Sequence, residues 1–464
     1  MDELMKPTVL YKSWPRYCTS LSLLIILLSS CIHLPETIRD IHDIPQDHTQ
    51  HITADYLFMS EEDQKISDAK YNILFFSPWH CTKPVRSLES VRKSFHALQL
   101  NPGYGENKRE HEVSWVTGLL DNAALDHYPN AGFPGITLYN TDLRILPTHK
   151  PVFRSAGGYP FDRLQESLIA PHTPLYISHI SRDRAWFLVE TPYANGWIDV
   201  RHVLRVDETF MQKWQNGSYA VVIEDEIPVY DDQSHFLFKA PLGAIFPAVG
   251  ETDHAVRILH ASADANRKAV IRESRIKKDA IAIKPLRMTG INMARVANRL
   301  MMKPYGWGGL YENRDCSATL RDLFAPFGIW LSRHSSDQAK RDGHFFDLAS
   351  LSPEEKKNTI LRRGIPYMTL LWMKGHIMLY IGQFQGEPLV FHNFWGVTTT
   401  NLWGIHGRLI VGHAAITTLH PARVFHYALP GENSFLQNII GMTRIGDINN
   451  TNGLRDLQPE FTAN

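Results

Sequence analysis

Asp315-Cys316-Ser317-Ala318-Thr319-Leu320-Arg321-Asp322-Leu323-Phe324-Ala325-Pro326-Phe327-Gly328 is the stretch from which the fold and the chemistry can both be read. Leu320, Leu323, Phe324 and Phe327 recur at i, i+3, i+4 and i+7, which puts four apolar side chains on one face of a helix. Asp315 can cap that helix by accepting from the free amides of its first turn. Gly328 can end it. Cys316 then occupies the first helical position. A helix head offers unpaired N–H groups and partial positive charge, both of which favour a thiolate over a thiol of pKa about 8.5. The same N–H groups can hold the oxyanion formed when a carbonyl is attacked.

Acyl transfer by a cysteine needs a base. Downstream, residues 367–372 read as a strand, Lys374-Gly375 as a turn, and His376–Gly382 as a second strand opened by His376. Residues 383–387 turn again, and Pro388–His392 reads as a third strand. Antiparallel neighbours would bring His376 beside His392. Cys316 would then attack, His376 would move the proton, and His392 would orient the His376 ring. His413 and His426 are further available bases. The same Cys316, His376 and His392 could instead ligate zinc, but the Asp-Cys-Ser helix context favours a nucleophile. No metal and no cofactor is expected. Taken alone, Asp315 reads as well as a plain helix cap, and Ser317 as a tolerated first-turn residue.

Two flanking motifs make the pattern specific. Tyr305-Gly306-Trp307-Gly308-Gly309 precedes the cysteine helix, and Arg333-His334-Ser335-Ser336-Asp337-Gln338 follows it. Together with a helix cysteine, a strand-start Gly-His and a polar residue on the next strand, this resembles the NlpC-type branch of the papain-like cysteine peptidases over roughly residues 290–415. Ser332 stands where that family usually has proline. The resemblance implies a papain-like α+β peptidase that cleaves peptidoglycan stem peptides. The bond implied is γ-D-Glu–diaminopimelate, in L-Ala-γ-D-Glu-diaminopimelate with a free amino end. By the same resemblance, Asp315 would pair with the alanine ammonium, and Ser317 and Ser335 would hold the D-glutamate carboxylate. Tyr305 would line the oxyanion region, and Trp307 the groove wall. A residue of a preceding SH3-like barrel, with Tyr176 as the candidate, would close the groove.

The rest of the chain is read by composition. With 464 residues, more than one core is required. Residues 1–30 hold Lys6, Lys12, Arg16, the apolar run 21–28 and then Ser29-Ser30-Cys31, a signal-peptide pattern. The run is shorter than the roughly 20 apolar residues a bilayer span needs. Leu28-Ser29-Ser30-Cys31 resembles a lipobox, which implies acylation of Cys31 and a lipid-bilayer anchor. Ile32 in place of Asp implies an outer-membrane, periplasm-facing lipoprotein. Residues 31–60, rich in His, Asp, Thr and Pro, read as a tether whose His42, His48 and His51 are solvated. Residues 61–142 read as a mostly helical unit, with Leu88–Leu100 the clearest helix and Cys81 a reduced structural cysteine.

Short β-rich runs at 174–178, 185–190 and 196–198 suggest an SH3-like barrel over 143–206. Runs at 220–223, 236–238 and 244–247 suggest a second over 207–285. Residues 286–430 are the peptidase candidate, and 431–464 a polar, loosely held tail. The fold class expected is therefore multidomain α+β. Lys plus Arg number 48, as do Asp plus Glu, and no long basic run appears, which argues against nucleic acid as a partner. The expected partner is peptidoglycan or a muropeptide. Two other functions fit the same features: a non-catalytic wall-binding lipoprotein, and a papain-like amidase or acyl transferase acting on another bond.

Overall fold

The computed structural model describes residues 38–400, 406–421 and 434–446. The signal-peptide reading, Cys31 and His426 lie outside the described residues.

The peptidase part is built on a six-stranded antiparallel sheet. Its strands are β15 (Gly343–Asp347), β16 (Thr369–Met373), β17 (His376–Phe384), β18 (Glu387–Thr400), β19 (His406–Thr418) and β20 (Ile439–Ile445). They are ordered β15-β20-β16-β17-β18-β19. Alternation along β17 explains both of its cores. Ile377, Leu379 and Ile381 pack with α6 (Gly290–Leu300) and α7 (Cys316–Phe324), while Met378 and Tyr380 pack with Ile360 of α9 (Pro353–Arg363). On α7, Leu320, Leu323 and Phe324 are fully buried, as the helical spacing requires.

The first barrel is a seven-stranded sheet ordered β3-β2-β6-β5-β4-β1-β7. Its strands are β1 (Phe133–Thr137), β2 (Thr141–Arg144), β3 (Gln165–Ile169), β4 (Pro174–Ile180), β5 (Trp186–Glu190), β6 (Asn195–Asp199) and β7 (Val203–Arg205). It starts at Phe133, ten residues ahead of the boundary expected at 143, because Ile136 and Leu143 both supply buried side chains. The second barrel comprises β8 (Tyr219–Val222), β11 (Ile245–Glu251), β12 (Ala255–Ala263), β13 (Ala269–Lys277) and β14 (Ile281–Ile283), with the hairpin of β9 (Ile227–Tyr230) and β10 (Phe236–Ala240).

Two segments differ from the sequence reading. The stretch expected as a tether packs against the peptidase from Ile38 onward. Ile38 and His48 are fully buried, Gln46 bonds both the N–H and the C=O of Ile416, and the Asp40 carboxylate accepts from Thr418. The histidines hid this, because a buried neutral imidazole looks like a linker residue in sequence. The expected loose tail contributes β20, an interior strand between β15 and β16. Ile439, Met442 and Ile445 are buried there. The polar residues after 446 outweighed this seven-residue run in the composition.

The N-terminal unit is helical, with α2 (Glu61–Phe76), α3 (Leu88–Leu100) and α4 (Val113–Ala123). Helix α2 joins the main core through Tyr71, Phe75 and Phe76. Gln64 donates to Leu286 O and Phe327 O, and Ser67 to Gly328 O. Lys284 forms a buried ion pair with Asp68. These bonds tie α2 to the end of the second barrel and to the end of the cysteine helix.

Candidate active site

Cys316 opens α7, and Asp315 is its N-cap, accepting from Ala318 N at 2.9 Å. The Asp315 carboxylate does more than cap. Arg333 holds it with two bonds, Nη1 to Oδ1 at 3.1 Å and Nη2 to Oδ2 at 2.7 Å. Gly308 N donates to Oδ2, and the Ser317 hydroxyl to Oδ1 at 3.2 Å. Five donors thus occupy its two oxygens. All three side chains are buried, and the guanidinium holds the Asp315 carboxyl below the usual range against the cost of burial. An incoming ammonium can reach Asp315 only if one of these donors lets go.

Gln338 donates from Nε2 to Ser317 O and Ser332 O, each at 2.8 Å. It thereby fixes the turn that carries Arg333 to the helix head. Ser335 opens α8 (Ser335–Lys340) and is half-buried.

The Cys316 thiol is 6% exposed. Burial, and then the Asp315 charge, push it up to about 12, although the Ile377 and Ser317 amides and Arg333 favour the thiolate. The expectation of a thiol acidified by its helix head is therefore corrected: desolvation and the adjacent carboxylate outweigh the helix terminus. Ile377 is the residue after His376, so the heads of α7 and β17 meet at the sulfur. Strands β17 and β18 pair from Leu379↔Phe391 to Phe384↔Glu387 and carry no ladder ahead of Leu379, the end that bears His376 and His392.

His376 Nε2 and His392 Nδ1 are 2.8 Å apart, so the expected juxtaposition of the two rings is present. His392 is fully buried and stacks on Phe394 at 4.1 Å. Burial lowers His376 to about 4 and holds His392 well below its ordinary value, so both rings rest neutral. Among the described residues no hydrogen bond joins the sulfur to either ring. Nucleophile–base contacts of this kind commonly tighten only when substrate binds.

Burial, and then the neighbouring Cys316 and Asp315, hold the Tyr305 phenol well above the ordinary range. Its ring is 6.2 Å from Trp395, which is 6.0 Å from Tyr159 of the first barrel's long loop. The Trp307 indole donates to Asp162 O at 2.9 Å, and its ring meets Phe161 edge-on at 5.2 Å. Trp307 thus fastens the first barrel to the peptidase.

Strand β3 is what the first barrel lays against the site. Gln165 Nε2 donates to Gly308 O at 3.1 Å, Glu166 pairs with His334 at 3.0 Å, and Ser167 Oγ accepts from Arg333 Nε at 2.8 Å. Gly308 and Gly309 lie at φ +61° and +91°, and a Cβ on Gly309 would stand 2.4 Å from the Leu168 Cβ. The Gly-Gly pair is thus the means by which the barrel reaches the cysteine helix. Tyr176 was the groove-closing candidate. It is buried on β4, where Cys81 and Glu190 are its electrostatic neighbours. Cys81 is half-buried and unbridged. His413 bonds Ala414 O through Nδ1, and among the described residues it has no hydrogen bond to Cys316 or His376.

Sequence reasoning assigned no role to Arg333, Gln338, Gln165, Ser167 or Thr417. The Arg and Gln of the 333–338 motif were the available signal for the first two. The barrel residues carry none, because their importance lies in a contact between domains.

Four sequence-family models match in chain order. They are the NLPC_P60 stabilising domain (residues 17–128), an SH3 domain of SH3b1 type (150–199), an SH3 domain of SH3b2 type (207–253) and the NlpC/P60 family (302–401). Among solved structures, an NlpC/P60 endopeptidase from Photobacterium damselae subsp. piscicida is 26% identical, with a TM-score of 0.76 over 87% of this chain and 97% of that one. An NlpC/P60 family protein from Bacillus cereus ATCC 10987 is 14% identical, with a TM-score of 0.41 over 61% of this chain and 82% of that one. No curated protein matches the chain. With a stabilising domain, two SH3-type barrels and a peptidase domain in that order, this chain belongs to the NlpC/P60 family and is a cysteine peptidase.

Proposed function

We propose that the protein hydrolyses the γ-D-Glu–diaminopimelate bond of peptidoglycan stem peptides through a thioester on Cys316. The observation that carries this is the meeting of the α7 head with the His376–His392 pair beside a saturated Asp315–Arg333 cluster. In the resting site the thiol and both imidazoles are neutral, so the proton leaves Cys316 for His376 as the sulfur attacks the γ-carbonyl carbon. The Ser317 and Ile377 amides that favour negative charge on the sulfur lie at the same place. Collapse of the tetrahedral adduct expels the diaminopimelate amine, which takes the proton back from His376. Water then attacks the thioester, with His376 again as base, and frees the D-glutamyl carboxylate.

The free amino end fits the Asp315 geometry in one way. Of its five donors the Ser317 hydroxyl is the longest, at 3.2 Å. An L-alanine ammonium that displaces it gains the carboxylate and releases Ser317 to the D-glutamate carboxylate, beside Arg333. Ser335 at the head of α8 and Tyr305 near the sulfur complete the substrate contacts in this reading. Acylated Cys31 would hold the enzyme on the envelope membrane, facing the periplasm. The reading is tested by mass spectrometry of products from L-Ala-γ-D-Glu-diaminopimelate with free and N-acetylated ends. L-Ala-D-Glu plus free diaminopimelate, from the free-ended peptide only, is expected. Products broken at another bond would overturn the substrate assignment.

A further inference from the structure

We infer that Thr417 is a positioning residue that selects the tautomers of His392 and His376, and so exposes the lone pair that accepts the Cys316 proton. This deepens the reading above and rests on it. The argument is a count of protons along one chain of hydrogen bonds. Thr417 is fully buried on β19, and its hydroxyl has one proton to give. Oγ1 lies 2.8 Å from Thr418 O, which can only accept and is the nearer of its two partners, so the proton is assigned there. Oγ1 also lies 3.0 Å from His392 Nε2. With its own proton spent, Oγ1 must accept, and Nε2 must carry hydrogen.

A neutral imidazole has one N–H, so His392 Nδ1 is then a bare acceptor. His376 Nε2, 2.8 Å away, must donate to it. The single N–H of His376 is thereby fixed on Nε2, and its Nδ1 is left with a lone pair and no hydrogen-bond partner among the described residues. The opposite pattern inverts every step. Were the hydroxyl to donate to His392 Nε2, His392 would donate from Nδ1 to His376 Nε2. His376 would then carry its proton on Nδ1 while its Nε2 lone pair accepts from His392, leaving no free lone pair for the Cys316 proton. Thr417 touches neither substrate nor sulfur, so its effect passes entirely through the two rings.

The test begins with the full-length protein bearing 15N-labelled histidine, without substrate. Long-range 1H–15N spectra of the wild type should show His376 and His392 both protonated on Nε2. Protonation of either ring on Nδ1 would overturn the inference, and no variant is needed for that result. Thr417→Val keeps the shape and removes the acceptor. It should move His392 to the Nδ1–H form and lower kcat by ~10² or more, with KM unchanged, since a misplaced base proton removes general-base catalysis. Thr417→Ser should restore both spectrum and kcat. Wild-type tautomers and kcat in Thr417→Val, or a Thr417→Ser variant as slow as Thr417→Val, would overturn it. If the wild type shows the expected tautomers yet cleaves no stem peptide, the substrate assignment fails and the Thr417 assignment stands.

Discussion

At the scale of single residues, the site is set by the contest between burial and charge. Cys316 sits at a helix head, which by itself would acidify it, yet burial and Asp315 win. His376 is lowered to about 4, so the neutral base is present throughout the range above that value and is lost as pH falls through it. The acid limb of kcat/KM on a defined stem peptide should therefore lie near 4, with activity at pH 5 close to that at pH 7. A limb at the ordinary imidazole value of about 6.5 would contradict this. The sequence made Cys316, His376 and His392 legible, because a capped amphipathic helix and two strand ends leave local patterns. It could not show the sign of the thiol shift. That depends on how much water the folded site excludes, and on Arg333 being spent on Asp315 rather than on the sulfur.

At the scale of elements, two contacts hold the helix head in place. Arg333 is the counter-ion of Asp315 in a site where both are buried. Arg333→Met leaves that carboxylate uncompensated and should destabilise the protein by about 3–5 kcal/mol, read as a lower urea midpoint at unchanged slope. Arg333→Lys should recover only part of this, since a lysine cannot bond both oxygens in the planar fork. The second contact is the Gly308-Gly309 seat of β3. Gly309→Ala meets Leu168 at a backbone angle that disfavours any side chain. It should cost about 1–3 kcal/mol and expose the barrel–peptidase junction to limited proteolysis before the rest of the chain. The aromatic-glycine motif was legible as a motif. Its mechanical purpose was not, because the partner strand lies some 140 positions earlier in the chain.

At the scale of the whole molecule, segments distant in sequence are welded into one core. The strap from residue 38 and strand β20 looked peripheral in sequence, and they pack on the peptidase as helix α2 does. Composition averages over such segments and misses a few well-placed apolar or neutral histidine side chains. His48 and His172 are fully buried, and burial lowers each to about 3. The unfolded chain, near 6.5, binds more protons than the folded one between those values. Stability is therefore fully present above about 6.5 and is lost as pH falls, at a rate approaching ~1.4 kcal/mol per pH unit for each histidine. Chemical denaturation at pH 7.5, 6 and 5 should show this decline, and a flat profile would refute it. The account as a whole turns on one sulfur. Alkylation of the intact protein with iodoacetamide, followed by peptide mapping and assay of the same samples, addresses it directly. Loss of peptidase activity in step with modification of Cys316, and not of Cys81, is the predicted result. Full activity with Cys316 quantitatively alkylated, or cleavage by Cys316→Ala, would contradict it.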